Sequence, residues 1–197
     1  SMDDLLINFT LISTHGSVGI CLPMLGQHNV MNALAAASCC LSLDISLQSI
    51  KDGLENIKSI KGRLEIKTGK KHVRIIDDTY NANPTSFDVA IETLCSFNGL
   101  RYIVLGDMGE LGDQAEQFHR DVGELAKRKN VDGLFTIGKL SINASNYFGT
   151  GAFHFDSYEA LEKTLIKSLD KDSTILIKGS RAMKMERIVN ALMRDEK

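Results

Sequence analysis

VRIIDDTYNANPTSF, residues 73–87, opens as a strand and closes as a helix. Val73, Ile75 and Ile76 are β-branched and apolar, which suits a buried strand. Pro84 sits near a helix start, where its missing N–H costs nothing, and Asn83 or Thr85 can cap the free amides behind it. A strand, a loop and a helix in this order form the repeating unit of a parallel sheet, because parallel neighbours need a crossover. A turn alone would need one or two polar residues. This loop has Asp77, Asp78, Thr79, Tyr80, Asn81 and Asn83. The excess predicts a ligand at the carboxyl end of the strand.

The same alternation extends along the rest of the chain. Residues 63–68 and 72–77 read as a hairpin turning at Gly69 and Lys70, followed by a helix over 86–97. Next come a strand over 102–105, a helix over 115–129, a strand over 133–137 and a short helix over 141–147. A strand over 152–155, a helix over 158–169, a strand over 174–177 and a helix over 183–193 complete the pattern. Apolar strands separated by helices predict a Rossmann-like α/β fold, a mostly parallel sheet with helices on both faces. Upstream, residues 5–25 read as a β-hairpin or two strands, broken by Gly16, Gly19 and Pro23. A helix starts at Gln27 or His28, with Val30, Leu34, Ala37 and Leu41 at helical spacing. A second helix covers 47–57. Two strands and two helices bury little, so residues 1–60 are expected to be an α+β remnant of a larger domain and residues 61–197 a complete α/β domain. Ser1 and Met2 read as a cloning remnant, and the chain is expected to be a fragment.

Composition narrows the function classes. The 197 residues are 43% hydrophobic and 24% charged with a net charge of -2, which gives no basic field for nucleic acid or acidic membranes. Cys21, Cys39, Cys40 and Cys95 form no CxxC pair and have no histidine at zinc spacing, so they are expected to be buried free thiols in a reducing cytoplasm. No apolar run is long enough to span a bilayer, and no leader pattern opens the sequence. The expectation is a cytoplasmic monomer with neither nucleic-acid nor membrane partners and no metal ligands of its own.

Ligands of open α/β sheets sit beyond the carboxyl ends of the strands. Three polar loops fall there: DDTYNANP at 77–84, GDMGELGD at 106–113 and KGSRAM at 178–183. Together they would line one crevice. A carboxylate at a strand's end can accept two ribose hydroxyls, and asparagines can both donate and accept, as peptide or amide recognition requires. Lys178, Ser180 and Arg181 would meet an anion at a helix N-terminus. The carboxylates of Asp107 and Glu110 would repel phosphate; a role facing an amine or organising the crevice and a plain structural turn account for their loop equally well. Residues 133–140, GLFTIGKL, nearly match the phosphate loop GxxxxGK[ST], but Leu140 replaces the hydroxyl and the residues between the glycines read as a strand. The match is rejected. His28, Asn29 and Asn32 cluster at a helix start, with the two asparagines on one face.

In this order GQHNVMNALAAA, GRLE, DDTYNANP, GDMGELG and KGSRAMKME closely resemble the Mur ligases of peptidoglycan synthesis, from Gly26 onward. The resemblance implies a three-domain enzyme, of which this chain would hold the tail of the central ATPase domain and the whole C-terminal domain. It implies an ATP-dependent ligase joining D-alanyl-D-alanine to UDP-N-acetylmuramoyl-tripeptide through an acyl phosphate, with Mg2+ ligands mainly in the central domain. By the same resemblance Asn29 and Asn32 contact adenine with His28 beside them, Arg63 approaches the nucleotide, and Asp78 takes the ribose hydroxyls. Tyr80, Asn81 and Asn83 face the peptide substrates, and Lys178, Ser180 and Arg181 hold carboxylate or phosphate. Without a phosphate loop the chain alone is expected to be inactive. One alternative is a stand-alone nucleotide- or dipeptide-binding module. A Rossmann-like oxidoreductase is disfavoured because no strand leads into GxGxxG.

Overall fold

The computed structural model describes residues 6–58 and 60–193. Ser1, Met2 and the expected hairpin start at Leu5 lie outside the described residues. The chain divides into two compact units, Ser1–Ile60 and Lys61–Lys197.

In the first unit β1 (Ile7–Ser13) and β2 (Gly16–Leu22) form an antiparallel hairpin. Helix α1 (His28–Leu41) and helix α2 (Leu47–Glu55) follow. Ser46 caps α2 by accepting from the amide of Ser49. Leu11, Ile20, Leu22, Ala33, Ala37, Ile50 and Leu54 make one small core. The buried face of α1 runs through Asn29, Ala33 and Ala37, about one residue off the predicted stripe, with Leu34 and Leu41 partly buried at its border. The cysteines are free, but the expectation of burial is corrected: Cys39 is exposed and Cys21, Cys40 and Cys95 are intermediate. Cys39 lies two residues past Ala37, which turns it away from the buried face of α1.

The second unit is a six-stranded sheet in the order β3-β4-β8-β5-β6-β7. Its strands are β3 (Glu65–Thr68), β4 (Arg74–Asp78), β5 (Leu100–Gly106), β6 (Gly133–Ile137), β7 (Ala152–Phe155) and β8 (Ser173–Lys178). Only β3 runs antiparallel to its neighbour. Helices α3 (Pro84–Cys95), α4 (Ala115–Arg128), α5 (Ile142–Phe148), α6 (Tyr158–Ser168) and α7 (Glu186–Met193) connect or follow them. Every residue of β6 and β8 is buried, as expected of apolar strands covered on both faces.

Crossovers between parallel strands are right-handed. From β4 through β5 and β6 to β7 the chain steps one way across the sheet, so α3, α4 and α5 share a face. They pack there through Phe87, Ile91, Leu94, Val122, Ala126 and Phe148. The return from β7 to β8 runs the other way, which puts α6 on the opposite face, joined there by α7. That core contains Leu161, Leu165, Ile188, Val189 and Leu192. Strand β8 thus leads to a helix on one face while its neighbours β4 and β5 lead to helices on the other. This reversal opens a crevice at their carboxyl ends.

The C-terminal helix differs from expectation. A 3-10 turn at Arg181–Met183 and a left-handed Lys184 (φ 50°, ψ 46°) precede α7, which starts only at Glu186. Met185, fully buried, is the cause. It lies against Gly106 and Gly179 so closely that a Cβ on either glycine would come within 2.7 Å of it, and the chain must dip into the core before the helix begins.

Candidate functional site

The three polar loops meet over β4, β8 and β5. Asp78 and Lys178 are directly paired residues of the parallel ladder. Lys178 Nζ donates to Asp78 Oδ2 at 2.5 Å and to the Asn81 carbonyl at 2.9 Å, and the amide of Leu64 donates to Asp78 Oδ1 at 3.2 Å. Lys178 is 1% exposed and Asp78 is 8% exposed. The Lys178 ammonium lies 5.4 Å from the centre of the Phe87 ring. Burial pushes the Lys178 pKa below its ordinary value, and the Asp78 charge opposes the shift.

The rest of DDTYNANP is held residue by residue. Asp77 turns to the opposite side from Asp78, as successive strand residues do. It accepts from the amide and hydroxyl of Thr79 and from Lys67 Nζ at 2.5 Å. Lys67 also pairs with Glu65 at 2.9 Å. Burial lowers the Lys67 pKa, but the two carboxylates outweigh it and the net shift is upward. The Tyr80 amide donates to the Gly62 carbonyl at 2.9 Å. Gly62 has φ +73°, and a Cβ there would stand 3.0 Å from the Tyr80 nitrogen, which explains the glycine of GRLE. The exposed Arg63 guanidinium stacks 4.4 Å from the centre of the half-exposed Tyr80 ring. Asn81 accepts the Ala82 amide on its own side chain. Asn83 caps α3 in a capping box with Ser86.

GDMGELG performs a structural task that its sequence left open. The Asp107 carboxylate accepts from the amides of Lys139 (2.9 Å), Leu140 (3.0 Å) and Ser141 (2.8 Å), just ahead of α5. This is the near-match to a phosphate loop: its amides converge on an anion, and the anion is the chain's own carboxylate. Gly138, at φ +122°, lets Asp107 in, since a Cβ would sit 2.3 Å from Oδ1. The Asp107 carbonyl accepts from the Ser180 amide at 2.8 Å, which ties the loop after β5 to the loop after β8.

The expectation that residues 178–181 stand at a helix N-terminus is corrected, because the 3-10 turn intervenes. Ser180 is 8% exposed, whereas Arg181 is exposed and pairs with Glu186 at 3.3 Å. In the first unit Asn29 is buried, donates to the Leu25 carbonyl at 2.7 Å and accepts from Asn32 at 3.1 Å, so it orients the exposed Asn32 amide; His28 opens the helix. His119 was not singled out from sequence. It is fully buried, accepts from the Met108 amide at 2.9 Å through Nε2, and therefore carries its proton on Nδ1, facing the Ala115 carbonyl at 2.6 Å. The signal was present: His119, Val122 and Ala126 share one helical face.

Among the described residues no three His, Cys, Asp or Glu side chains group to hold a metal ion. Nor, among them, is any helix long and apolar enough to cross a membrane.

Residues 62–181 match the family model described as Mur ligase, glutamate ligase domain. The chain is 42% identical over 187 residues to the UDP-N-acetylmuramoyl-tripeptide--D-alanyl-D-alanine ligase of Escherichia coli, covering 93% of this chain and 41% of that protein. It is 37% identical to the Bacillus subtilis protein of the same name, covering 87% of this chain and 39% of that one. In structure it resembles MurF from Acinetobacter baumannii with a TM-score of 0.89 and 36% identity, over 97% of this chain and 43% of that one. It resembles MurF from Thermotoga maritima in complex with ADP with a TM-score of 0.83 and 25% identity, over 96% of this chain and 43% of that one. The chain thus spans about two fifths of the relatives it matches. With its mostly parallel sheet and the match over residues 62–181, the chain belongs to the Mur ligase family.

Proposed function

We propose that this chain is the C-terminal part of an ATP-dependent ligase that joins D-alanyl-D-alanine to UDP-N-acetylmuramoyl-tripeptide in the cytoplasm. Residues 1–60 then belong to the end of the central ATPase domain and residues 61–197 form the C-terminal domain. The observation that carries the reading is the convergence of DDTYNANP, GDMGELG and KGSR at one switch point in a chain of this family. ATP supplies the energy of amide formation by phosphorylating the tripeptide carboxylate to an acyl phosphate with release of ADP; the dipeptide amine then attacks the acyl carbon and inorganic phosphate leaves.

In this reading Asp78 takes the ribose hydroxyls. Its two bonds within the protein leave lone pairs on each oxygen, since a carboxylate offers about four acceptor sites. Arg63 approaches the nucleotide from its stack on Tyr80, and Asn32, with His28 beside it, meets adenine while Asn29 holds it. Tyr80 and Asn81 face the peptide substrates. Asn83 contributes there only through the part of its amide that does not cap α3. Ser180 and Arg181 receive carboxylate or phosphate. The Mg2+ ligands are assigned mainly to the central domain, and no step is derived through the ion. The enzyme works as a monomer.

Asp78→Ala, placed in the full-length enzyme, tests the ribose role. It should raise KM for ATP about ten- to hundredfold, the worth of a charge-assisted hydrogen bond, and KM for the dipeptide much less. The opposite ranking removes Asp78 from that role. The 197-residue chain alone should produce no ADP in the presence of both substrates, and robust substrate-dependent turnover would refute the division of labour.

A further inference from the structure

Lys178 carries a charge in a place where free ammonium groups are not found. It is among the largest fully buried side chains of the protein, at the end of a wholly buried central strand and beside the face of Phe87. Its ammonium bridges two points of the β4 loop, the Asp78 carboxylate at 2.5 Å and the Asn81 carbonyl at 2.9 Å. Between those points Tyr80 bulges outward, its amide bonded to Gly62 and its ring under Arg63. Asp78 in turn accepts from the Leu64 amide, one residue past Arg63. A single buried cation therefore fixes the carboxylate, the loop and the GRLE turn together.

We infer that Lys178 is a positioning residue: it holds the Asp78 carboxylate and the Tyr80–Asn81 bulge in register and does not itself bind a substrate anion. If Lys178 turned to an incoming carboxylate or phosphate it would leave Asp78 buried without its counter-charge, and breaking a buried pair is strongly unfavourable. The exposed Arg181 and the hydroxyl of Ser180 incur no such penalty. A carboxylate fixed from one side by an ammonium and a backbone amide presents its remaining lone pairs in one direction, which is how preorganised sites limit the ordering needed when the ligand arrives.

The inference rests on the ribose role proposed for Asp78, and the experiment separates the two. Lys178→Met, Asp78→Asn and the double variant are made in the full-length enzyme, and KM is measured separately for ATP and for D-alanyl-D-alanine. Lys178→Met is expected to raise KM for ATP about tenfold or more with KM for the dipeptide within about threefold. The double variant, which has no orphaned charge, should be no worse than Asp78→Asn alone. A rise in the dipeptide KM at unchanged ATP KM, multiplying with the effect of Asp78→Asn, would show direct contact and overturn the inference. Amide hydrogen exchange in the same proteins is the second readout. Lys178→Met should speed exchange at Leu64 and Tyr80, and unchanged protection there refutes positioning whatever the kinetics. If Asp78→Asn leaves KM for ATP unchanged, the ribose reading alone fails, and the exchange result still decides the role of Lys178.

Discussion

Removing the Asp107 carboxylate gives the sharpest test of how the crevice is built. Three amides, those of Lys139, Leu140 and Ser141, donate to it. Lys139 is exposed, so water can replace that bond at little cost. Leu140 is half-buried and Ser141 fully buried, so their amides would lose a charged acceptor with poor access to water. A hydrogen bond to a charged group is worth about 1.5–3 kcal/mol, and a lost helix cap about 1 kcal/mol, so Asp107→Ala should destabilise the second unit by about 2–4 kcal/mol. For a unit of this size that is roughly a 10 °C fall in Tm. Asp107→Asn keeps one carbonyl oxygen for Leu140 and Ser141 but turns an amide NH2 toward the Lys139 N–H, so about half the loss is expected. The chain has no tryptophan, so urea unfolding is best followed by far-ultraviolet circular dichroism, with hydrogen exchange at residues 140 and 141 to localise the effect. An Asp107→Ala protein within about 0.5 kcal/mol of the parent would refute the assignment, because that is the range of an inert surface substitution. Equal losses for Asn and Ala would refute the charge-assisted account.

Gly123→Ala should destabilise by about 1–3 kcal/mol in urea, since the new methyl would lie 2.2 Å from the Ala144 carbonyl and push α4 from α5. Replacing His119 with Phe leaves the buried Met108 amide without its acceptor, so exchange at Met108 should accelerate and stability fall by about 1–3 kcal/mol; unchanged exchange would deny that bond. At alkaline pH the two crevice lysines act with opposite sign. Lys178, lowered by burial, releases its proton from the folded state first, so its contribution raises stability as pH climbs from its folded pKa to 10.5. Lys67, raised by Asp77 and Glu65, contributes stability that is complete below 10.5 and lost as pH rises through its folded pKa. Lys67→Met should therefore flatten the decline above 10.5, and an unaltered decline in urea midpoints would contradict the ion-pair account.

Local signals located the elements well. Strands β6 and β7 fall at the predicted residues 133–137 and 152–155, because short apolar runs bounded by glycine and polar turns leave little latitude. The capping of α3 by Asn83 follows from the residues beside Pro84. The misplaced start of α7 has a tertiary cause, since nothing within KGSRAMKME says that Met185 must reach into the core between two glycines. The shifted face of α1 has a similar cause: Asn29 can join it because the Leu25 carbonyl and Asn32 satisfy its side chain. For the site, the sequence indicated which three loops meet, left open whether the Asp107 loop is structural, and did not show that Lys178 is sealed against Asp78.

By itself the sequence determined the alternation of strand and helix, the division of texture near residue 60 and the family motifs. Each of these is written in hydrogen-bonding and burial periodicities that span a few residues. Only the tertiary structure decided that the last strand, β8, inserts between β4 and β5, and so that Lys178 meets Asp78 across a separation of 100 residues. Strand order is set by the direction of each crossover and by which apolar faces remain to be covered, and no local pattern records either. The same insertion brings Ser180 to Asp107, and it turns three polar loops scattered along the chain into one crevice.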